Sequence, residues 1–478
     1  MTADAKRGNG PDGGRTEHDL LGERVVPADA YWGIHTLRAA ENFRLSGRPV
    51  HPALIRALAL VKKACARANA EIGALAPEIA RAIEDACDDL AEGRIGAGLP
   101  LDAVQGGAGT STNMAVNEIV ANRALERMGR TRGDYAVVHP IDHVNLHQST
   151  NDVYPTALKV ACIGGLREAA GRLAALQGAF QDRERAWAGI VAPGRTELQD
   201  AVPLTLGAQF SAFAEAVGRD RWRTFKCEER LRVVNLGGTA VGTGLAAPRA
   251  FIFRATERLR DVTGLGLARA ENLVDQTANA DAFVEVSGIL AAAGGNLIKI
   301  AGDLRLLHFL GEIRLPARQA GSSIMPGKVN PVIAEAAISA GLLIRANDAL
   351  VGDAVSRGTL QISEFLPVAA LALLESLDLL ARSASMLADS VARTEADAVV
   401  CRAHAEASES LVAAFVPRLG YDGAQALVAE FRAAGGGNLR AFLAARLGAE
   451  LADRTLSPEN LMALGHRDEP GAGGEGAA

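Results

Sequence analysis

Apolar residues along much of this chain recur at the spacing of an α-helix. Ile163, Leu166, Ala170, Leu173, Leu176 and Phe180 fall three or four positions apart, as do Leu373, Leu377, Leu380, Ala384, Leu387 and Val391. Two further stretches, Ala282–Leu310 and Val332–Asp353, are apolar nearly all round, with Ala and Gly where helices would approach closely. A helix apolar on every side must be buried, which places these two inside a bundle or at a subunit interface. Helices of roughly 30 residues are about 45 Å long, far above the globular average. Long helices with opposed apolar faces predict a bundle that continues across an oligomer interface.

The flanking regions are patterned in shorter pieces. Helices are expected at Pro52–Gly73 and Pro77–Gly93, followed by the Gly-rich Gln105–Gly109. Beyond Glu395, short helices are expected at Ala396–Phe415, Gly423–Ala434 and Asn438–Gly448. A last turn is expected at Leu456–Asn460, with Ser457 as cap and Pro458 at the first helical position. Residues 1–14 and 467–478 are rich in Gly and small polar residues and read as disordered extensions. The expected organisation is mainly α and has three domains. A loop-and-helix N-terminal domain covers residues 15–148, a long central helix bundle 149–400, and a small helical C-terminal domain 401–466.

Composition agrees with close-packed helices. Of 478 residues, 49% are hydrophobic but only 4% aromatic, so Ala, Leu, Val and Ile must build the cores. A net charge of −6 argues against a nucleic-acid partner, although a local cationic pocket in an acidic protein can still hold a small anion. Cys65, Cys87, Cys162, Cys227 and Cys401 are scattered and never form a CxxC pair. That suits reduced, buried thiols in a cytoplasmic protein, not a disulfide framework or a zinc site. No apolar signal-peptide core opens the chain, and no run of about 18 apolar residues is uninterrupted, so no membrane partner is expected.

Against the apolar helices, several polar, helix-breaking clusters stand apart. Gly321-Ser322-Ser323-Ile324-Met325-Pro326-Gly327-Lys328-Val329-Asn330-Pro331 is punctuated by Gly and Pro and must be a loop. Its serines, lysine and asparagine supply hydroxyls, a fixed positive charge and an amide, the groups that hold a carboxylate while the carbon beside it reacts. A plain surface turn uses many of the same residue types. Gly109-Thr110-Ser111-Thr112-Asn113 heads a helix, where hydroxyls and N–H groups either bind an anion or simply cap. His147-Gln148-Ser149-Thr150-Asn151-Asp152 precedes a helix start expected at Tyr154-Pro155 and holds more polar residues than a cap needs. Gly194–Asp200 is either a polar turn or part of a site. Gly237–Gly244 superficially resembles a nucleotide-binding loop, but it lacks a preceding strand and a P-loop lysine. His139, His143 and His147 recur every four residues, as metal ligands on a helix would. Pro140 disfavours a continuous helix there, so structural histidines and no metal site are expected.

The Gly321–Pro331 loop resembles the fingerprint of the aspartase/fumarase superfamily, lyases that reversibly eliminate an amine or water across a C4 backbone to give fumarate. Gln105–Glu118, His147–Pro155, Gly194–Pro203 and Asn235–Gly244 resemble further family blocks in the same order, over a span from about Arg15 to about Leu464. Arg15–Glu23, Gly33–Ala39 and Gln148–Asn151 follow the wording of aspartases more than that of class II fumarases. The resemblance implies a fold whose central bundle forms the multi-helix core of a homotetramer, with each active site built from three subunits. It implies elimination of ammonia from L-aspartate, or a close amino-dicarboxylate, with no cofactor. By motif, Ser322 is the implied general base, and Thr110, Ser149, Thr150 and Ser323 donate to the developing aci-carboxylate. Lys328 and Asn330 grip the other carboxylate, and Asn151 and Thr196 sit beside the leaving amine. A fumarase and a lyase for a modified aspartate are the enzymatic alternatives. A retired member kept as a structural tetramer is the non-enzymatic one, opposed by the intact site set.

Three departures from the family pattern bear on the substrate. Glu197 stands where fumarases and many aspartases have His, and where Gln also occurs in aspartases. A carboxylate there attracts an ammonium and repels a carboxylate, which implies an amine-bearing substrate; a tolerated solvent-facing Glu is the other reading. Leu304–Glu312 lacks a longer Ser-Gly-Pro-Arg segment usual in the family. Ala115 and Ile141 stand where Asn is usual, and Ile141 falls in what would be the second, non-catalytic anion site of fumarases.

Overall fold

Helices form where the apolar spacing predicts them, in a computed structural model that describes residues 13–96 and 98–466. The expected disordered ends lie outside these residues apart from Gly13 and Gly14, and Gly14 opens a strand. The chain begins with the hairpin β1 (Gly14–Asp19) and β2 (Gly22–Pro27), then α1 (Ile34–Asn42), α2 (Pro52–Glu71), α3 (Pro77–Ala91), α4 (Thr110–Arg127) and a π-helical turn at Pro140–Val144. The middle holds α5 (Thr150–Ala186), the hairpin β3 (Val191–Thr196) and β4 (Gln199–Thr205), α6 (Leu206–Leu231), β5 (Val233–Val234), α7 (Arg249–Thr263), β6 (Ala268–Arg269) and α8 (Leu273–Ala278). Next come α9 (Asp281–Phe309), β7 (Ile313–Arg314), α10 (Val332–Ser356), α11 (Leu366–Ala392) and β8 (Glu395–Ala396). The end holds α12 (Ala398–Ala407), a 3-10 segment (Glu409–Phe415), α13 (Val416–Ala433), α14 (Leu439–Leu447), α15 (Ala449–Thr455) and α16 (Pro458–Leu461). The fold is mainly α, and its strands form only two-stranded sheets among the described residues.

The buried side of α9 shows why its sequence makes one long helix. Phe283, Val286, Leu290, Ala293, Leu297, Ile300, Leu304 and Leu307 are all buried and alternate at spacings of three and four. This 29-residue helix is long and apolar enough to cross a membrane. Its buried seam, together with Asp281, Glu285, Lys299, Asp303 and Arg305 along its length, reads instead as a core helix. Where α9 and α10 meet, a Cβ on Gly341 would lie 2.6 Å from the Gly294 carbonyl oxygen, so backbone approaches backbone.

Three boundaries differ from expectation, each for a local reason. Helix α5 starts at Thr150, four residues before Tyr154. Pro155 has no N–H to give to the Asn151 carbonyl, and Asn235 Nδ2 donates to that oxygen instead at 2.9 Å. The expected helix Ala396–Phe415 breaks at Ser408 into α12 and the 3-10 segment. Helix α13 begins before Gly423, with a kink at Gly420 (φ 69°, ψ 171°).

The chain divides into two compact units. The first comprises the chain up to Ala170, Arg223–Ala292 and Leu343–Leu380. Here Arg15 donates to the carbonyls of Pro27, Ala30 and Trp32, while Glu118 on α4 accepts from the N–H groups of Gly33, His35 and Thr36. The N-terminal motifs therefore serve to cap α1 and clamp the first hairpin. Burial pushes the Glu118 carboxyl up to about 7 despite these donors. The second unit comprises Gly171–Trp222, Ala293–Leu342 and the chain from Ala381. It contains an aromatic cluster of Phe180, Trp187, Phe210 and Phe213. It also contains a separate C-terminal core that includes Leu411, Phe415, Phe431, Leu439 and Leu443.

Candidate active site

In the first unit, the heads of α4 and α5 are brought together. Gly109 precedes α4 in the left-handed region (φ 90°), and a Cβ there would lie 2.4 Å from the Tyr154 ring, so only glycine fits. Thr110 is the first residue of α4 and is exposed. Thr112 instead faces inward and donates to Gln105 Oε1 at 2.9 Å. Thr150, buried, accepts at Oγ1 from Asn113 Nδ2 at 3.1 Å. Ser149 Oγ accepts from the Asn151 N–H at 3.2 Å. Asn151 Nδ2 donates to the Ala240 carbonyl at 2.7 Å, which turns its Oδ1 the other way. Thr150 and Asn151 line a cleft with Ala108, Pro155, Lys159 and Ser363.

This arrangement is pinned by Asp152, which is wholly buried and accepts from the N–H groups of Ser149, Gly237 and Thr239. Burial pushes its carboxyl up to about 6, against the pull of those donors. The Gly237–Gly244 run is thus a packing element that backs α5. Gly242 (φ 86°) shows why glycine is needed, since a Cβ there would lie 2.4 Å from Val274 Cα. Lys159 is also buried and donates to the Val233 carbonyl and to Gln276 Oε1; burial pulls its ammonium down to about 8.

The three regularly spaced histidines have separate hydrogen-bonding tasks. His139 Nδ1 accepts from the N–H groups of Ile141 and Asp142, His143 Nδ1 accepts from the His139 N–H, and His147 Nδ1 bonds Asn69 Oδ1. Pro140 does not prevent a helical turn, because it sits at the first position of the short π-helical segment. Ile141 lies in that turn and is exposed, while Ala115 is fully buried in α4.

In the second unit, β3 and β4 end in a two-residue turn, with Thr196 paired to Gln199. Glu197 (φ 53°) and Leu198 (φ 61°) both adopt the left-handed region that such a turn demands. Asn-Gly satisfies this cheaply, whereas two side-chain-bearing residues strain it by about 1–2 kcal/mol each. The tip, with Thr196 and Glu197, is exposed. Its base is fixed by Arg195, which grips the buried Glu312 with two hydrogen bonds of 2.6 and 2.9 Å. His404 Nδ1 lies 2.9 Å from Glu312 Oε1. Burial opposes the Arg195 charge, but the bonds to Glu312 outweigh it and hold the guanidinium pKa up.

The same unit carries the Gly321–Pro331 loop. The Gly321 N–H donates to the Lys328 carbonyl at 2.7 Å, and Asn330 Nδ2 donates to the Gly321 carbonyl at 3.0 Å, closing the loop on itself. Ser322 Oγ accepts from the N–H groups of Ile324 (3.2 Å) and Met325 (3.0 Å). Two fixed donors at one hydroxyl oxygen favour its deprotonated form. Ser323 and Lys328 are exposed, and Ile324 is 84% exposed. The shortened segment upstream resolves into a tight turn, Leu310–Glu312, which feeds β7, paired antiparallel with β8.

A profile of the Lyase family matches residues 22–345. Aspartate ammonia-lyase from Pseudomonas aeruginosa is 44% identical over 460 residues, covering 94% of this chain and 97% of that protein. The Bacillus subtilis aspartate ammonia-lyase is 41% identical over 428 residues, covering 88% and 90%. Among solved structures, a fumarate lyase:delta crystallin from Brucella melitensis, bound to cobalt, superposes with a TM-score of 0.89 at 45% identity, covering 93% of this chain and 98% of that one. Class II fumarase from Schistosoma mansoni gives 0.87 at 30% identity, covering 94% and 100%. The chain belongs to the aspartase/fumarase lyase superfamily.

In this lyase the candidate residues fall into two sets. Thr110, Ser149, Thr150 and Asn151 lie in the first unit, and Thr196, Glu197, Ser322, Ser323, Lys328 and Asn330 in the second. Sequence reasoning missed the buried groups behind them: Lys62, Asn145, Asp152 as an anchor, and Glu312. A signal for Lys62 did exist. It falls in step with Leu58, Cys65 and Asn69 on the buried face of α2, where a lysine is out of place.

Proposed function

We propose that this lyase eliminates ammonia from L-aspartate to give fumarate, with Ser322 as the base. The observation that carries the reading is Ser322 Oγ, which receives two backbone N–H groups inside a loop that also carries Lys328 and Asn330. The proton beside a carboxylate is very weakly acidic, and its removal requires pre-placed donors for the aci-carboxylate dianion. Ser322 takes the C3 proton as the charge passes onto the β-carboxylate. Thr110, Ser149, Thr150 and Ser323 donate to that carboxylate; Ser149 and Thr150 accept from the protein at their oxygens, which leaves their protons for the substrate. Lys328 and Asn330 hold the α-carboxylate. Collapse of the dianion expels the amine, received by Asn151 Oδ1, Thr196 and Glu197. Ultraviolet absorbance tests this directly: fumarate should appear from L-aspartate and not from malate, and the reverse result would make the protein a fumarase.

Glu197 sets the preference for an amine. Its negative charge stabilises an ammonium by about 1.5–3 kcal/mol, the range for a hydrogen bond to a charged group. Glu197→His is expected to lower kcat/KM for aspartate by about 10- to 100-fold and to narrow the preference over malate. An unchanged ratio of the two substrates would remove Glu197 from the leaving-group site.

The working form is a homotetramer whose sites combine residues from three subunits, in the cytoplasm, with the chain divided into domains at 15–148, 149–400 and 401–466. Support comes from α10, whose exposed Ala336, Ser339, Leu343, Ala346 and Leu350 repeat at spacings of three and four, a seam fit for another helix. The separate core around Phe415 and Phe431 supports the C-terminal division. All five cysteines are buried free thiols, with burial pushing Cys227 and Cys401 up to about 12, as suits a reducing compartment. Sedimentation should give four chains per particle; a fully active monomer would overturn the shared site.

A further inference from the structure

We propose that Asn113 and Asn145, anchored by the buried Lys62, are positioning residues that force the Thr150 hydroxyl to act as a hydrogen-bond donor in the active site. The inference rests on the reading of Thr150 as a donor to the aci-carboxylate. Lys62 is fully buried in α2 and donates to Asn145 Oδ1 at 2.8 Å and Gln148 Oε1 at 2.9 Å. No carboxylate accepts a hydrogen bond from it among the described residues. A buried ammonium whose hydrogen bonds all go to amide oxygens, with the buried Asp152 carboxylate attracting it only at longer range, is expensive for the fold, so its persistence calls for a task.

The task follows from what each group can donate. An ammonium has no acceptor, so an amide that bonds it must present its oxygen and not its NH2 group. Lys62 therefore fixes the amide of Asn145 with Oδ1 inward, and Asn145 Nδ2 is turned to the Gln148 carbonyl at 3.2 Å. Asn113 Nδ2 donates to that same Asn145 oxygen at 3.3 Å, and Asn117 Nδ2 does so at 3.1 Å. Flipping Asn113 would set oxygen against oxygen, so its NH2 group must face Asn145. The same NH2 group then reaches Thr150 Oγ1 at 3.1 Å.

A hydroxyl that accepts from an amide cannot turn its own proton back along that bond. The Thr150 proton is left for the cleft that Thr150 lines. The arrangement is not chosen for the comfort of the asparagines, because Asn113 Oδ1 and Asn117 Oδ1 are both buried without a hydrogen-bond partner among the described residues. Two carbonyl oxygens stay unsatisfied so that three donors can converge on Asn145, and the outcome of that convergence is a set polarity at Thr150.

The test is a double-mutant cycle on the intact oligomer, read as kcat and KM for aspartate. Binding of succinate serves as ground-state probe, and binding of 3-nitropropionate, whose nitronate carries charge where the aci-carboxylate does, as the reactive-state probe. Lys62→Met is expected to lower kcat by about 10- to 100-fold, the loss seen when partners that orient metal ligands are removed, carried over to an oriented hydroxyl. KM and succinate binding should hold while nitronate binding weakens in parallel with kcat. Placed on Thr150→Ala, Lys62→Met should add little further loss, since both act through one hydroxyl. Asn113→Leu provides a second cycle with the same expectation should Lys62→Met not fold. Wild-type kcat in Lys62→Met, or losses that multiply on the Thr150→Ala background, would overturn the proposal. A Thr150→Ala enzyme with wild-type kcat would instead sink the reading of Thr150 on which it rests.

Discussion

Replacing Ser322 with alanine is expected to lower kcat by about a thousandfold or more, within the upper range for loss of a positioned base. The binding of succinate should change by less than about threefold, because Ser322 acts on the proton and the developing charge and not on the ground state. A serine is a poor base at its free pKa, and Ser322 Oγ is met by two N–H groups from its own loop, which stabilise the alkoxide. Those donors come from the backbone of Ile324 and Met325, so the alanine variant keeps the loop hydrogen bonds of Gly321 and Asn330 and loses only the oxygen. The measurement pairs steady-state fumarate production with calorimetric titration of succinate. Turnover within tenfold of wild type would remove Ser322 as the base, and a parallel collapse of succinate binding would show that the hydroxyl holds the loop together instead.

What the sequence disclosed and what it concealed differ in kind. The long helices were legible because burial imposes a period, as the unbroken seam from Phe283 to Leu307 shows. The polar loops were legible because Gly, Pro, Ser and Asn cluster only where a helix cannot continue, and family resemblance then assigned Ser322, Lys328 and Asn330 their roles. The start of α5 was misplaced because Pro155 looked like a helix opener. Its unfilled bond is completed by Asn235, a residue 80 positions later that no local pattern could connect. Lys62 was legible only from the buried face of α2 that it shares with Leu58, Cys65 and Asn69. Lys62 and Lys63 are adjacent, yet a turn of 100° between them buries the first wholly and leaves the second half-buried and paired with Asp88. A polar turn at Gly194–Asp200 was one of two readings, but its left-handed pair gave no sign, since Glu-Leu has none of the Gly or Asn that marks one. Strain of that sort persists where the surroundings over-determine it, which agrees with a tip held for function.

That strained tip depends on its base, and Glu312→Ala is expected to destabilise the protein by about 3 kcal/mol. This is the lower end of the range for breaking a buried ion pair by removing one partner, because Arg195 keeps 21% of its side-chain exposure and can draw in some water. Glu312 itself is fully buried and satisfies Arg195 twice and His404 once, so its removal leaves the guanidinium with only the half-exposed Asp200, 3.3 Å away, and the imidazole without its carboxylate. Glu312→Gln keeps the shape and one acceptor and should lose roughly half as much, in line with a neutral partner to a charged donor. The consequence for catalysis follows from position. Arg195 directly precedes Thr196, and Glu312 directly precedes β7 on the path to the Gly321–Pro331 loop, so one carboxylate ties both segments together. The alanine variant should therefore lose kcat beyond its loss of folded protein, measured per folded molecule after urea unfolding has fixed the stability. Wild-type stability in Glu312→Ala would mean that Arg195 is solvated as easily as it is paired. Lost stability with wild-type kcat would mean that the hairpin tip holds its conformation without its anchor.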